Sequence, residues 1–165
     1  MKKSLLAIGV LLAVAAGLVL WGSKFAIGMV HDQLSAQKIS FPDKTTLEAD
    51  NPALAKYADQ KVDNGEKAKA YSDYIAGHLQ KVANGQTYSE VSEAYLKDRT
   101  NQTLGTERQT LFMGETLRGL LLNAWGWGLI GTIALYAAVA LFAAAAAAVG
   151  VVVITPVKKK PAKRK

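Results

Sequence analysis

Hydrophobic and polar positions divide the chain into three parts. Residues 5–21 and 119–157 carry no charged side chain, and all the acidic residues lie between them. A hydrocarbon core of about 30 Å takes roughly 20 helical residues to cross. Residues 5–21 therefore predict a short membrane span, bounded by Lys2 and Lys3 before it and by Trp21 after it. The rival reading is a cleaved signal peptide with Ala13-Val14-Ala15 as its small-residue site. Against it, the sequence stays apolar past that site, through Leu20 and again from Phe25 to Val30. The second stretch is longer than a bilayer needs at about 1.5 Å of rise per residue. Counted back from the basic tail, its membrane part falls at residues 131–153. The preceding turns join residues 107–123 as a helical stalk.

Between the spans the pattern changes to short amphipathic helices with punctuation. Asn51 and Pro52 predict a helix start, running to about Val62 before Asp63-Asn64-Gly65. The next helix, from Glu66 to about Ala83, places Ala68, Tyr71, Ile75, Leu79 and Val82 on one face and ends at Asn84-Gly85. Thr87 and Glu90 have capping-box spacing for a third helix, with Tyr88, Val91 and Tyr95 inward. Thr106 and Gln109 repeat that spacing and predict the start of the last helix. Residues 38–50 lack a regular period, and Phe41-Pro42-Asp43 reads as a turning connection.

The expected class is therefore all-α, with two transmembrane helices and a small helical extracytoplasmic domain between them. Its parts are an anchor at 1–30 (span 5–21), a domain at 31–110, a stalk and second span at 111–154, and a basic tail at 155–165. Charge sets the orientation. The chain has 20 basic and 13 acidic residues. Lys2, Lys3, Lys158, Lys159, Lys160, Lys163, Arg164 and Lys165 flank the spans, leaving a net charge of −1 between them. The positive-inside rule then predicts both termini in the cytoplasm of a multi-pass cell-membrane protein. The tail is expected to contact anionic lipid at about 1 kcal/mol per charge near the surface. It has no interleaved aromatic residues, so nucleic acid is not an expected partner. Trp21, Trp125 and Trp127 are expected as interfacial anchors.

Chemistry is sparse. With no cysteine, thiolate metal sites, disulfides and cysteine nucleophiles are excluded. Gly126-Trp127-Gly128-Leu129-Ile130-Gly131 fits GxGxxG but lacks the preceding strand a nucleotide site requires. His31 and His78 have no metal-ligand spacing, and no metal or cofactor is expected. His78, beside the apolar stripe, is expected to be partly buried and hydrogen-bonded. Lys24 is expected to snorkel to the interface. Ala13 and Gly17 in the first span, and Gly128, Gly131 and residues 134–148 in the second, would let helix backbones approach closely. Glu115 and Arg118 are one helical turn apart and expected to pair with each other or with Lys24. With His78 they form the candidate interaction surface.

Residues 60–71, 85–88, 110–122 and 131–136, which include Gly114-Glu115-Thr116-Leu117-Arg118, resemble a family of small actinobacterial two-pass membrane proteins of unknown function. The similarity covers residues 40–140. Some members carry the label aromatic ring-opening dioxygenase, chemistry that uses a metal held by two histidines and a carboxylate. His31 and His78 sit in no matching motif, and the family supplies no catalytic residues to carry over. The expected function is non-catalytic: an accessory or interaction module of the cell envelope, contacting lipid and either another membrane or envelope protein or a second copy of itself. The alternative is a membrane-anchored ligand sensor or enzyme with its site near the outer end of the second span.

Overall fold

The computed structural model describes residues 2–155. These residues are helical without a named strand: α1 (Lys2–Gln37), α2 (Lys44–Asp50), a short 3-10 helix (Pro52–Tyr57), α3 (Gly65–Val82), α4 (Tyr88–Lys97) and α5 (Gln102–Ile154). Of these, α1 and α5 are long and apolar enough to cross a membrane. The expected lipid contacts Lys158, Lys159, Lys160, Lys163, Arg164 and Lys165 lie outside the described residues. The chain divides into two compact units, one of Met1–Phe25 with Gly131–Lys165 and the other of Ala26–Ile130.

In the first unit the segments of α1 and α5 run antiparallel and bury small residues. Gly9, Ala16 and Ser23 on α1 and Gly131, Ala138 and Ala145 on α5 are buried. Large side chains such as Leu11, Leu18, Ile133 and Tyr136 point outward. A seven-residue step keeps one seam of a helix facing its partner, and the register is constant along it. The Ser23 hydroxyl donates to the Gly131 carbonyl at 2.7 Å. Seven residues on, Ala16 and Ala138 are both fully buried. A Cβ on Gly9 would come within 2.8 Å of Val149 and 3.4 Å of the Ala145 carbonyl. Finally the Lys2 ammonium donates to the carbonyls of Val152 and Thr155, placing a cation at the carbonyl end of α5, where the helix dipole favours it. Within this chain Ala13 and Gly17 do not carry the contact with α5. Gly17 is exposed with open space where its Cβ would be, and Ala13 is only partly buried; both are off the seven-residue seam.

The second unit buries large side chains instead. Val30 and Leu34 of α1, Phe41, Leu47, Leu54, Val62, Ala68 and Leu121 form its main core. Leu79, Ala83, Val91 and Leu111 form a smaller one. The connection after α1 turns at Lys38, which has a positive φ of 54°. It then pairs with the segment before α3: the Phe41 N–H donates to Gln60, the Val62 N–H to Ile39 and the Asp59 N–H to Pro42. This pairing brings Phe41 onto Tyr57 and Tyr71, with ring centroids 5.2 Å apart in both cases.

Several boundaries differ from the pattern-based expectation, each for a local reason. The Asp43 carboxylate accepts from the Thr46 N–H and starts α2, a seven-residue helix too short to show a period. Asn51 does cap a helix with Pro52 at its start, but this is a 3-10 helix that stops at Tyr57 before the positive φ of Asp59. Asn64 caps α3 through the Lys67 N–H, and Val82, expected inward, is exposed while Ala83 is buried. The Thr87–Glu90 capping box forms. The Thr106–Gln109 box does not, because Asn101 caps α5 a full turn earlier and the Thr106 hydroxyl donates to the Gln102 carbonyl.

Glycines let α3 approach α5 within this unit. A Cβ on Gly65 would lie 3.2–3.3 Å from the backbone of Trp125 and Gly128, and one on Gly128 would meet the Gly65 Cα at 3.2 Å. Gly65→Ala is expected to destabilise the protein by about 1–3 kcal/mol, because backbone cannot move aside as a side chain can. Gly126→Ala, which meets nothing within 4 Å, is expected to be neutral or to gain up to about 1 kcal/mol of helix propensity. Unfolding in mixed micelles followed by circular dichroism measures both.

Candidate functional site

Polar side chains gather in two places in the second unit. The first is built on α2 and α3. Asp50, the last residue of α2, accepts from the Lys81 ammonium at 2.6 Å and lies 3.3 Å from His78 Nε2. Lys81 follows His78 by three positions, so the two side chains share one face of α3. The His78 ring meets Tyr74 edge-on at 4.6 Å, and Tyr74 contacts Tyr71 at 5.6 Å. The hydrogen bond from Lys81 holds the Asp50 carboxyl below its ordinary value of 3.8, and the charges of Lys81 and His78 add to this against a raising effect of burial. Burial raises the Tyr71 and Tyr74 phenols above 10.0, and the Asp50 charge adds to the rise at Tyr74. His78 has a 46% exposed side chain, so it is a surface ion-pair partner and not the partly buried core histidine expected. Its stripe neighbour Leu79 takes the inward position, 6% exposed.

The second place is a pocket of about 410 Å³ whose lining includes Leu79, Gln86, Tyr88, Leu111, Glu115 and Arg118. Arg118 donates from one terminal nitrogen to both carboxylate oxygens of Glu115, at 2.7 and 2.8 Å. Its Nε is buried and makes no hydrogen bond. Of the two pairings expected for Glu115 and Arg118, the one with each other forms; Lys24 is exposed. Gly114 leaves room for Leu79, which would stand 2.5 Å from a Cβ at that position. Glu115 and Arg118 thus sit together, whereas His78 is outside the lining and engages Asp50.

The remaining candidates are dispersed. His31 donates from Nδ1 to the Asp63 carbonyl at 3.0 Å. Among the described residues no three His, Asp or Glu side chains converge as a metal site would need. Trp21 is exposed and lies against Phe25. Trp125 is partly buried, with its backbone under Gly65 and its ring 6.0 Å from the Lys69 ammonium. Trp127 is exposed. Of the GxGxxG glycines, Gly128 makes the Gly65 approach and Gly131 accepts from Ser23, so both have packing roles.

Two participants had no mark in the pattern. Asp50 ends a helix that periodicity does not reveal. Arg108 lies on α5 against α4, 5.9 Å from the Tyr88 ring centre and 5.6 Å from that of Tyr95, and donates to Ser92 at 3.2 Å. Its one advance signal is the spacing of Tyr88, Ser92 and Tyr95 along one face of α4.

Compared with protein-family models, curated proteins and solved structures, the chain matches none.

The Asp50 cluster makes a pH prediction. A carboxyl depressed by folding adds stability that is present above its unfolded value and is lost as pH falls through its folded value. Wild-type protein is therefore expected to lose stability as pH drops below about 3.8, and Asp50→Asn to be less stable at neutral pH with a flatter acid limb. Melting temperatures from pH 7 to pH 2 measure both. In the same variant the Tyr74 phenol is expected to titrate at lower pH, read as ultraviolet difference absorbance.

Proposed function

We propose that this chain is a non-catalytic two-pass membrane protein that serves as an accessory or interaction module of the cell envelope. In this reading α1 is an uncleaved anchor, both termini are cytoplasmic, and residues 31–110 face the outside. The seam of Gly9, Ala16 and Ser23 against α5 supports the uncleaved anchor, since removal of the first span would leave the small face of α5 without its partner. The excess of basic residues at the two ends supports the orientation. The resemblance of residues 60–71, 85–88, 110–122 and 131–136 to small actinobacterial membrane proteins supports placing it in that family.

One observation carries the interaction reading. Leu96 of α4 and Phe112 and Met113 of α5 are more than half exposed although they belong to the helices that build the smaller core. In this reading these outward apolar side chains are the place where another surface is received. Affinity purification of the tagged protein from its native membrane in mild detergent is expected to bring down a stoichiometric partner. The double variant Phe112→Ser, Met113→Ser is expected to fold with unchanged helicity and to lose that partner. A monodisperse monomer without a partner in the native membrane sinks this reading.

A second reading, a ligand sensor or enzyme, is favoured by the pocket around Glu115 and Arg118, where a guanidinium with a buried, unpartnered Nε lies beside Tyr88 and Gln86. Its discriminating result is a small carboxylate or phosphate compound that raises the melting temperature of the wild type and not that of Arg118→Gln.

A further inference from the structure

Within the second unit, α1 and α5 bound a groove of about 400 Å³. Leu34, Ile39, Leu117 and Leu121 contribute apolar wall, and none of the twelve lining residues is charged. Leu120 and Trp127, 65% and 45% exposed, also line it. Three amides also line it, those of Gln33, Gln37 and Asn123, and all three residues are exposed. Such a surface buries hydrocarbon and offers hydrogen bonds to uncharged oxygens, but it has no group to pair with a charge.

Size and position select the occupant. An α-helix with its side chains is about 10–12 Å across and would lie over a groove of this volume instead of entering it. A single extended hydrocarbon chain enters. Trp127 precedes Gly131 by one turn of α5, and Met29, on the other wall, follows Phe25 by four residues in α1. The lining residues thus adjoin in sequence the two segments read as membrane spans, where lipid is the most abundant apolar molecule. We propose that this groove holds one acyl chain of a membrane lipid, with the ester oxygens of its glycerol region accepting hydrogen bonds from the Gln33, Gln37 and Asn123 amides. The inference rests on the membrane reading of α1 and α5 and is independent of any protein partner.

The test uses the full chain in phosphatidylcholine vesicles doped with a phosphatidylcholine that carries a photoactivatable diazirine on one acyl chain, with labelled residues mapped by mass spectrometry. Labelling at Leu117, Leu120 and Trp127 is expected to saturate at a low fraction of the probe, as a site does. Labelling at Ile133 and Val139, outward on the span, is expected to rise in proportion to the probe. Ala124→Phe, which fills the groove from the α5 side, is expected to lower groove labelling about tenfold, equivalent to 1.4 kcal/mol, without changing that of the span. Leu120→Asn alters only an exposed side chain and gives the same direction of effect should Ala124→Phe not fold. Groove residues that stay unlabelled, or that label in proportion to the probe and ignore both substitutions, overturn the proposal. A co-purifying partner would survive that result, so failure here is distinct from failure of the interaction reading.

Discussion

The close backbone approach of α1 and α5 along a seam of glycine, alanine and serine is the contact on which the first unit depends. Where two such helices cross a membrane, lipid tails are as apolar as leucine, so burying leucine between them gains little. What remains is dispersion between closely packed backbones and the occasional hydrogen bond. The seam supplies both, with small side chains every seven residues on each helix and the Ser23–Gly131 bond at one end. Interhelical hydrogen bonds of this kind average about 0.6 kcal/mol in a membrane. The bond therefore adjusts the register and the packing sets it: a shift by one residue would bring Gly9 and Gly131 off the seam and larger side chains onto it.

The second unit solves the opposite problem with some of the same residues. Burial from water rewards large side chains by about 1.5–3 kcal/mol each, and its core accordingly holds Phe41, Leu47, Leu54, Val62 and Leu121. Glycine lets helices cross closely here at Gly65 over Trp125 and Gly128 and at Gly114 under Leu79. Both crossings have consequences for the polar groups. Gly114 lets Leu79 turn inward, which leaves His78, one residue earlier, to face outward toward Asp50. It also stands one residue before Glu115, so the same close contact borders the pocket that holds the Glu115–Arg118 pair.

Sequence signals were legible where one residue type has one strong use. The Thr87–Glu90 box and the Asn84-Gly85 stop act through backbone hydrogen bonds local to each helix end, and each is found where its spacing puts it; Asn64, read only as part of a break, is the cap of α3. Thr106 fails for the same reason that Thr87 succeeds: the cap that wins is the first one the chain meets, and Asn101 comes earlier. The seam residues were harder to choose because the spans are crowded with glycine and alanine. Ala13 and Gly17, four apart, look like a packing pair until the seven-residue spacing of Gly9, Ala16 and Ser23 is matched against Gly131, Ala138 and Ala145. That match needs both helices at once. Asp50 and Arg108 were hidden for a related reason, since each works through residues on another helix.

The buried positions along the two long helices change from small side chains in the first unit to large ones in the second. In α1 the buried positions change from Gly9, Ala16 and Ser23 to Val30 and Leu34. In α5 they change from Leu111 and Leu121 to Gly131, Ala138 and Ala145. In α5 composition does not mark that change, because residues 119–157 carry no charge on either side of it. Packing marks it: the side chains buried in the second unit are mostly large, and those on the seam of the first are small. Trp127, Leu129 and Ile130 are exposed in the stretch of α5 where the change occurs. Large apolar side chains held outward there gain nothing from water and would gain contact from lipid where the helices cross a membrane. The same reasoning accounts for an uncharged groove that opens beside Trp127 while the charged pairs of Asp50 and Glu115 lie on helices and turns farther along the chain from either span.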